Sequence, residues 1–388
     1  MSRIFNLFRH EAIGGIILIL ASIFALTVAN SDLQVQFHAL LNYPLTLDLY
    51  FVTLNKNTSL WINDGLMALF FLLVSIEIKR EIKTGALSTW KKASFPLIAA
   101  LGGMIIPAAL FWGLAHSESW NNGWAIPMAT DIAFALGVLS LLGSKVPSAA
   151  KVFLLALAVI DDFGAIAVIA TFYTEQLHLL PLSFAAVLTL GLIVLNRLQI
   201  HSLAVYAIIG VLLWVAILKS GIHATIAGVI LGFVLPQPNT SLDHLEHQLS
   251  QFSKFCILPL FALANAGVVL SEQLNWHEGV ASAVMLGLLV GKPMGILSFS
   301  WIAYRLKWIH LPDHVTWSHL IGISFLCGIG FTMSIFISNL AYPHDLTANT
   351  LSKFAILSAS VAAAVAGYLW LYIVSQKSQC KGEVCVSS

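Results

Sequence analysis

Long apolar runs separated by short polar joints repeat along almost the whole chain. They fall near residues 11–30, 58–84, 94–116, 120–143, 149–174, 181–199, 203–217, 222–235, 246–270, 279–306, 317–340 and 350–375. Most are continuous and long enough to cross a hydrocarbon core about 30 Å thick as helix. Outer-membrane barrels instead alternate polar and apolar residues over about ten-residue strands. The pattern therefore predicts an all-α membrane protein with roughly twelve transmembrane helices. No linker or low-complexity block interrupts it, so residues 1–388 read as a single integral membrane domain.

Composition and charge placement agree. Only 10% of the 388 residues are charged and 59% are hydrophobic, against about 25% charged in soluble domains. The net charge of +1 offers nothing to nucleic acid. With the amino terminus counted as inside, the inner joints collect Arg3, Arg9, Lys79, Arg80, Lys83, Lys91, Lys92, Lys145, Lys151, Arg197, Arg305, Lys307, Lys377 and Lys381. The outer joints hold little beyond Lys56 and Lys219. Both termini are accordingly expected in the cytoplasm. The joint from Pro236 to Glu246 departs from the rule, offering Asp243, His244 and Glu246 without a basic residue. The basic amino-terminal residues precede an apolar run without a small-residue cleavage site, which reads as an anchor helix. Cys256 and Cys327 lie in apolar runs, and the spacing of Cys380 and Cys385 in the polar tail is a weak metal signal.

Against this background three carboxylates stand out. Asp161 and Asp162 lie in the middle of the fifth run, and Asp131 lies in the fourth. One aspartate at a helix centre costs about 2.5–3.5 kcal/mol on insertion scales, so the three together ask for roughly 8–10 kcal/mol. A cost of that size points to function. Two runs also carry helix-breaking residues at their centres. The fourth contains Trp124-Ala-Ile-Pro-Met-Ala-Thr-Asp131, where Pro127 removes a backbone donor just ahead of Thr130 and Asp131. The eleventh reads Cys327-Gly-Ile-Gly-Phe-Thr-Met-Ser334. There Gly328 and Gly330 weaken the helix, while Thr332 and Ser334 can satisfy freed backbone groups. Taken alone, the glycines fit close helix packing equally well. If runs three to five and ten to twelve are repeats, both breaks fall in the middle helix of each, and the repeats have opposite topology.

The strings Ala129-Thr130-Asp131-Ile-Ala-Phe-Ala-Leu-Gly137, Ala158-Val-Ile-Asp-Asp-Phe-Gly-Ala165, Gly291-Lys292-Pro-Met-Gly295 and Cys327-Gly-Ile-Gly-Phe-Thr-Met-Ser-Ile-Phe336 resemble the bacterial NhaA sodium/proton antiporters. Leu258-Pro-Leu-Phe-Ala-Leu-Ala-Asn-Ala-Gly267 and Ser220-Gly-Ile-His-Ala-Thr225 extend the resemblance over nearly the whole chain. NhaA is itself a standard example of transporters built from inverted repeats with broken, crossing helices. The resemblance implies an inner-membrane exchanger that expels sodium or lithium for entering protons, usually as a homodimer, without a cofactor. It makes Asp162 the main cation and proton ligand. Asp161 faces Lys292 or joins the site, and Asp131 and Thr130 lie alongside.

The residues suit that chemistry. Sodium prefers oxygen ligands, which carboxylates, a hydroxyl and backbone carbonyls provide. Asp161 and Asp162 point about 100° apart around a helix, so they need different partners. Lys292 is too deep in its apolar run to snorkel and requires a carboxylate; a static ion pair and a part in the transport cycle remain equally open. Protons and sodium competing for the same carboxylates need no separate catalytic machinery. Two protons for one sodium would make turnover electrogenic. Glu77, Arg80 and Glu81 at the end of the second run, with Glu246 and His247 opening the ninth, read either as solvated helix ends or, by resemblance, as the pH response. The resemblance leads one to expect another histidine one turn past His247, where this chain has Ser250. His223 reads as a packed interfacial histidine, and Asp64 as a structural contact or part of an outer funnel. Two other classes share intramembrane aspartates. An intramembrane aspartyl protease would call for Gly-x-Gly-Asp, but Gly330 is followed by Phe331. A sodium-coupled solute symporter would need a larger cavity.

Overall fold

The computed structural model describes residues 2–49, 52–115, 118–174, 177–236, 240–269, 279–312 and 315–386. Helix α1 (Ser2–Ala29) turns by 118° into the short α2 (Gln34–Leu41). Strands β1 (Pro44–Leu49) and β2 (Val52–Asn57) then pair antiparallel, from Pro44 opposite Asn57 to Leu49 opposite Val52. This hairpin is the only sheet among the described residues of an otherwise helical chain. Leu45, Leu47 and Leu49 alternate with Thr46 and Asp48, a two-residue period that suits a pleated strand.

α3 (Thr58–Leu60), a wide π turn at Trp61–Leu66 and α4 (Met67–Lys83) form one continuous helix. α5 (Trp90–Leu114) follows. The fourth run then starts as a 3-10 helix, Glu118–Met128, breaks at residues 129–131 and resumes as α6 (Ile132–Leu141). Next come α7 (Ser148–Phe172), α8 (Leu179–Arg197) and α9 (Leu203–Ser220). Gly221 ends α9 in the left-handed conformation that only glycine adopts freely, φ 86°. α10 (Ile226–Val234) has nine residues. α11 (Thr240–Phe252) continues through a π turn at Ser253–Ile257 into α12 (Leu258–Asn265), and α13 (Gly279–Leu286) continues through another at Gly287–Gly291 into α14 (Lys292–Arg305). α15 (Trp317–Cys327) and α16 (Phe331–Ala341) are bent by 44° at their break, and α17 (Leu346–Val386) closes the chain. Cys380 and Cys385 lie on α17, with side chains outside the described set.

Among the described residues, eight helices are long and apolar enough to cross a membrane, or up to ten if each bent pair is one span. Two of the twelve expected runs have no such helix, for two physical reasons. α10 spans only about 13–14 Å. The helix that begins at Thr240 is long, but its first half carries Asp243, His244, Glu246 and His247. Its start also moves Glu246 and His247 from the expected helix opening to the second turn.

The chain divides into two compact units, residues 1–19, 81–165 and 270–388 in the first and residues 20–80 and 166–269 in the second. Within the first, α5 and α14 approach backbone to backbone. A Cβ on Gly102 would lie 2.2 Å from the Gly295 carbonyl oxygen, and one on Gly295 would lie 2.0 Å from that of Gly102. Only glycine allows this contact. Within the second unit, Tyr206, Leu213 and Ile217 of α9 pack with Leu72, Ile76 and Ala227. The truncated end of α10 is closed there by side chains. Lys79 Nζ donates to the carbonyls of Phe233 (2.6 Å) and Leu235 (2.5 Å), and Asn196 Nδ2 donates to that of Val234. Helix-end carbonyls away from water need such donors.

Candidate functional site

The two broken helices meet at their breaks inside the first unit. Thr130 Oγ1 donates to the Cys327 carbonyl at 2.9 Å, Asp131 N to that of Ile329 at 2.7 Å, and Ser334 Oγ to that of Ile126 at 2.7 Å. Asp131 caps its own half-helix, since Oδ1 accepts from Phe134 N at 3.0 Å. Its Oδ2 accepts from Thr332 N at 3.1 Å and from Thr332 Oγ1. One carboxylate thus serves the amino ends of α6 and α16, both of which carry partial positive charge.

Asp161 and Asp162 lie near the middle of α7, 1% and 2% exposed. Asp161 Oδ2 pairs with Lys292 Nζ at 2.7 Å, both side chains being fully buried. Lys292 also donates to the Met128 carbonyl, the last residue of the 3-10 half-helix, where the backbone presents partial negative charge. Asp131 and Lys292 therefore place opposite charges against opposite helix ends. The second oxygen of Asp161 accepts no hydrogen bond among the described residues. A buried carboxylate oxygen in that condition has a strong demand for a proton or a cation. Among the described residues no three or more His, Cys, Asp or Glu side chains gather to hold a metal ion. A hard monovalent ion here would draw on carboxylate, hydroxyl and carbonyl oxygens together.

Sequence reasoning missed three parts of this arrangement. The Met128 carbonyl is backbone and leaves no residue signature. The π turn at Gly287–Gly291, directly before Lys292, is marked only by glycines that read equally as packing. Ser360 on α17 accepts from Phe331 N at 3.1 Å, and nothing in its neighbourhood sets it apart.

The more peripheral residues separate into distinct settings. Arg80 pairs with the buried Glu246, whereas His247 is exposed on the same helix. Glu77 is half-buried. Glu81 accepts from Ala86 N at 2.7 Å, closing the end of α4. Asp64 sits in a network rather than at an open surface. It pairs with Lys56, lies 3.7 Å from His223 Nε2 and accepts from Trp214 Nε1 through its carbonyl at 3.2 Å. The other ring nitrogen of His223 is 2.9 Å from Thr225 Oγ1.

The sequence model of the family described as Na+/H+ antiporter 1 matches residues 5–371. The chain belongs to that family. Proteins named Na(+)/H(+) antiporter NhaA are similar to it over nearly their full length. That of Tolumonas auensis is 50% identical over 386 residues, 97% of each chain. That of Haemophilus influenzae (strain PittGG) is 48% identical over 373 residues, 94% of this chain and 93% of its own. That of Escherichia coli O1:K1 / APEC is 48% identical over 384 residues, 96% of this chain and 98% of its own. The resemblance carried by the motifs thus extends over nearly the whole sequence. The protease and symporter readings find no support among these relatives.

Proposed function

We propose that this protein is an electrogenic secondary transporter that exchanges cytoplasmic sodium or lithium for external protons, serving pH and sodium homeostasis. The family match over residues 5–371 carries this reading. The supporting geometry is a pair of buried carboxylates on α7 in the unit that holds two crossed helix breaks. In the proposed cycle Asp162 is the main ligand for cation and proton. Asp161 exchanges Lys292 for the arriving ion in part of the cycle, and Thr130 adds a hydroxyl nearby. Asp131 and Lys292 balance the helix ends at the crossing, so a cation enters a site whose backbone charges are already compensated. Protons and sodium compete for the same oxygens, and a site open to one side at a time must carry one or the other.

The architecture that fits this cycle is one transporter over residues 1–388, with spans three to five and ten to twelve as inverted repeats. It lies in a bacterial inner membrane as a homodimer, with both termini cytoplasmic. Sodium, lithium and protons are its substrates, and no cofactor is required. The test uses everted membrane vesicles with a preset pH gradient. Adding sodium is expected to dissipate the gradient; no dissipation across a wide pH range would sink the reading. Asp162→Asn, which keeps size but cannot trade a proton for a cation, is expected to abolish exchange while still inserting. Wild-type exchange in that variant would remove Asp162 from its role.

A further inference from the structure

Half-helix α16 begins without a cap of its own. Gly330, at the N-cap position, has no side chain to accept from the first backbone N–H groups, which need acceptors wherever water is scarce. Two other helices provide them. Asp131 takes Thr332 N, and Ser360 Oγ on α17 takes Phe331 N at 3.1 Å. Ser360 is 1% exposed, so solvent does not compete. α17 runs unbroken through this point. The acceptor is therefore fixed on a rigid element, while the half-helix it holds starts at a break.

From this we infer that Ser360 is a positioning residue for cation exchange. By holding the Phe331 N–H, it sets the first turn of α16 where Thr332 reaches Asp131. Without the hydroxyl, the orphaned N–H draws that turn out of place, Thr332 leaves Asp131, and the positive amino end of α16 is no longer balanced at the crossing. A cation then binds less well. The inference rests on the exchange function proposed above.

Sodium-dependent proton movement in everted vesicles tests it with four proteins. Ser360→Ala is expected to raise the half-saturating sodium concentration about tenfold, the weight of one buried hydrogen bond, with the maximal rate at saturating sodium retained. Ser360→Thr keeps the acceptor and is expected to stay close to wild type. Ser352→Ala removes another fully buried hydroxyl from α17, one without a hydrogen bond among the described residues, and is expected to change nothing. Unchanged half-saturation in Ser360→Ala, or an equal rise in Ser352→Ala, overturns the inference. If the alanine variant does not accumulate, Ser360→Cys, with its weaker acceptor, takes its place under the same criteria. Hydrogen–deuterium exchange over residues 329–335 reads the positioning without transport. Faster exchange in Ser360→Ala supports it, and identical exchange refutes it. A wild type that moves no protons but loosens on this substitution would defeat the functional reading and leave the positioning standing.

Discussion

Lys292 and Asp161 are wholly withdrawn from solvent, and a buried pair responds differently to losing one member than to losing both. Asp161→Asn leaves the Lys292 ammonium without its counter-charge, a change that costs about 3–5 kcal/mol. It is expected to lower the midpoint of thermal unfolding in detergent as well as to impair exchange. Adding Lys292→Gln is expected to recover most of that stability without restoring transport. A midpoint in Asp161→Asn equal to that of wild type would show that the pair contributes nothing to the fold. Equal midpoints in the single and double variants would show that the unpaired ammonium is not the cause of the loss. That Lys292 needs a carboxylate was legible from its depth in an apolar run. Which carboxylate was not legible from the residues themselves, because the angular offset of Asp161 and Asp162 says only that their partners differ; only the family resemblance offered Asp161. The two donors from Thr332 to Asp131 were likewise hidden, since they come from a helix whose crossing point is a tertiary fact.

Among the elements, the approach of α5 to α14 leaves little room for adjustment. Gly295→Ala would put a Cβ 2.0 Å from the Gly102 carbonyl oxygen, so the helices must separate or slide. The variant is expected to yield little monodisperse protein on size-exclusion chromatography. Gly113→Ala on the same α5 meets nothing within 4 Å and is expected to behave as wild type; matching yields for the two would contradict the packing argument. α11 supports a similar contrast. Glu246 is buried and paired with Arg80, while His247 faces solvent. Glu246→Gln is therefore expected to move the half-activation pH of exchange, and His247→Ala to move it far less, because an exposed charge is screened within about 8–10 Å. No displacement in either would leave competition at the α7 carboxylates as the whole source of pH dependence. Helices were legible here because lipid-facing residues are written into the sequence as long apolar runs. The hairpin was overlooked although its alternation is plain, since it is short beside them. The start of α11 at Thr240 was lost because a polar helix leaves no mark on hydropathy.

For the molecule as a whole, the charge carried per turnover follows from the proposed stoichiometry. If two protons enter for each sodium that leaves, one net positive charge moves inward, and 100 mV contributes about 2.3 kcal/mol to each cycle. Outward sodium movement is expected to accelerate under an inside-negative potential. Rates indifferent to a potassium–valinomycin clamp would mean one-for-one exchange. The helical membrane class and the burial of Asp131, Asp161 and Asp162 could be read at this scale from the chain alone. The number of spans is harder to read, because α10 has only nine residues and hydropathy cannot tell whether a short apolar run stops inside the membrane. The wide turns at Trp61–Leu66, Ser253–Ile257 and Gly287–Gly291 bear on how such a molecule can vary. A turn closed from residue i to i+5 houses one residue more than a regular helix requires. Losing one residue there lets the turn tighten while the packed helices on either side keep their places. Elsewhere in these helices the same deletion would rotate everything beyond it by about 100°. Chains of this kind can therefore change length by single residues at these three points without moving Lys292 away from Asp161.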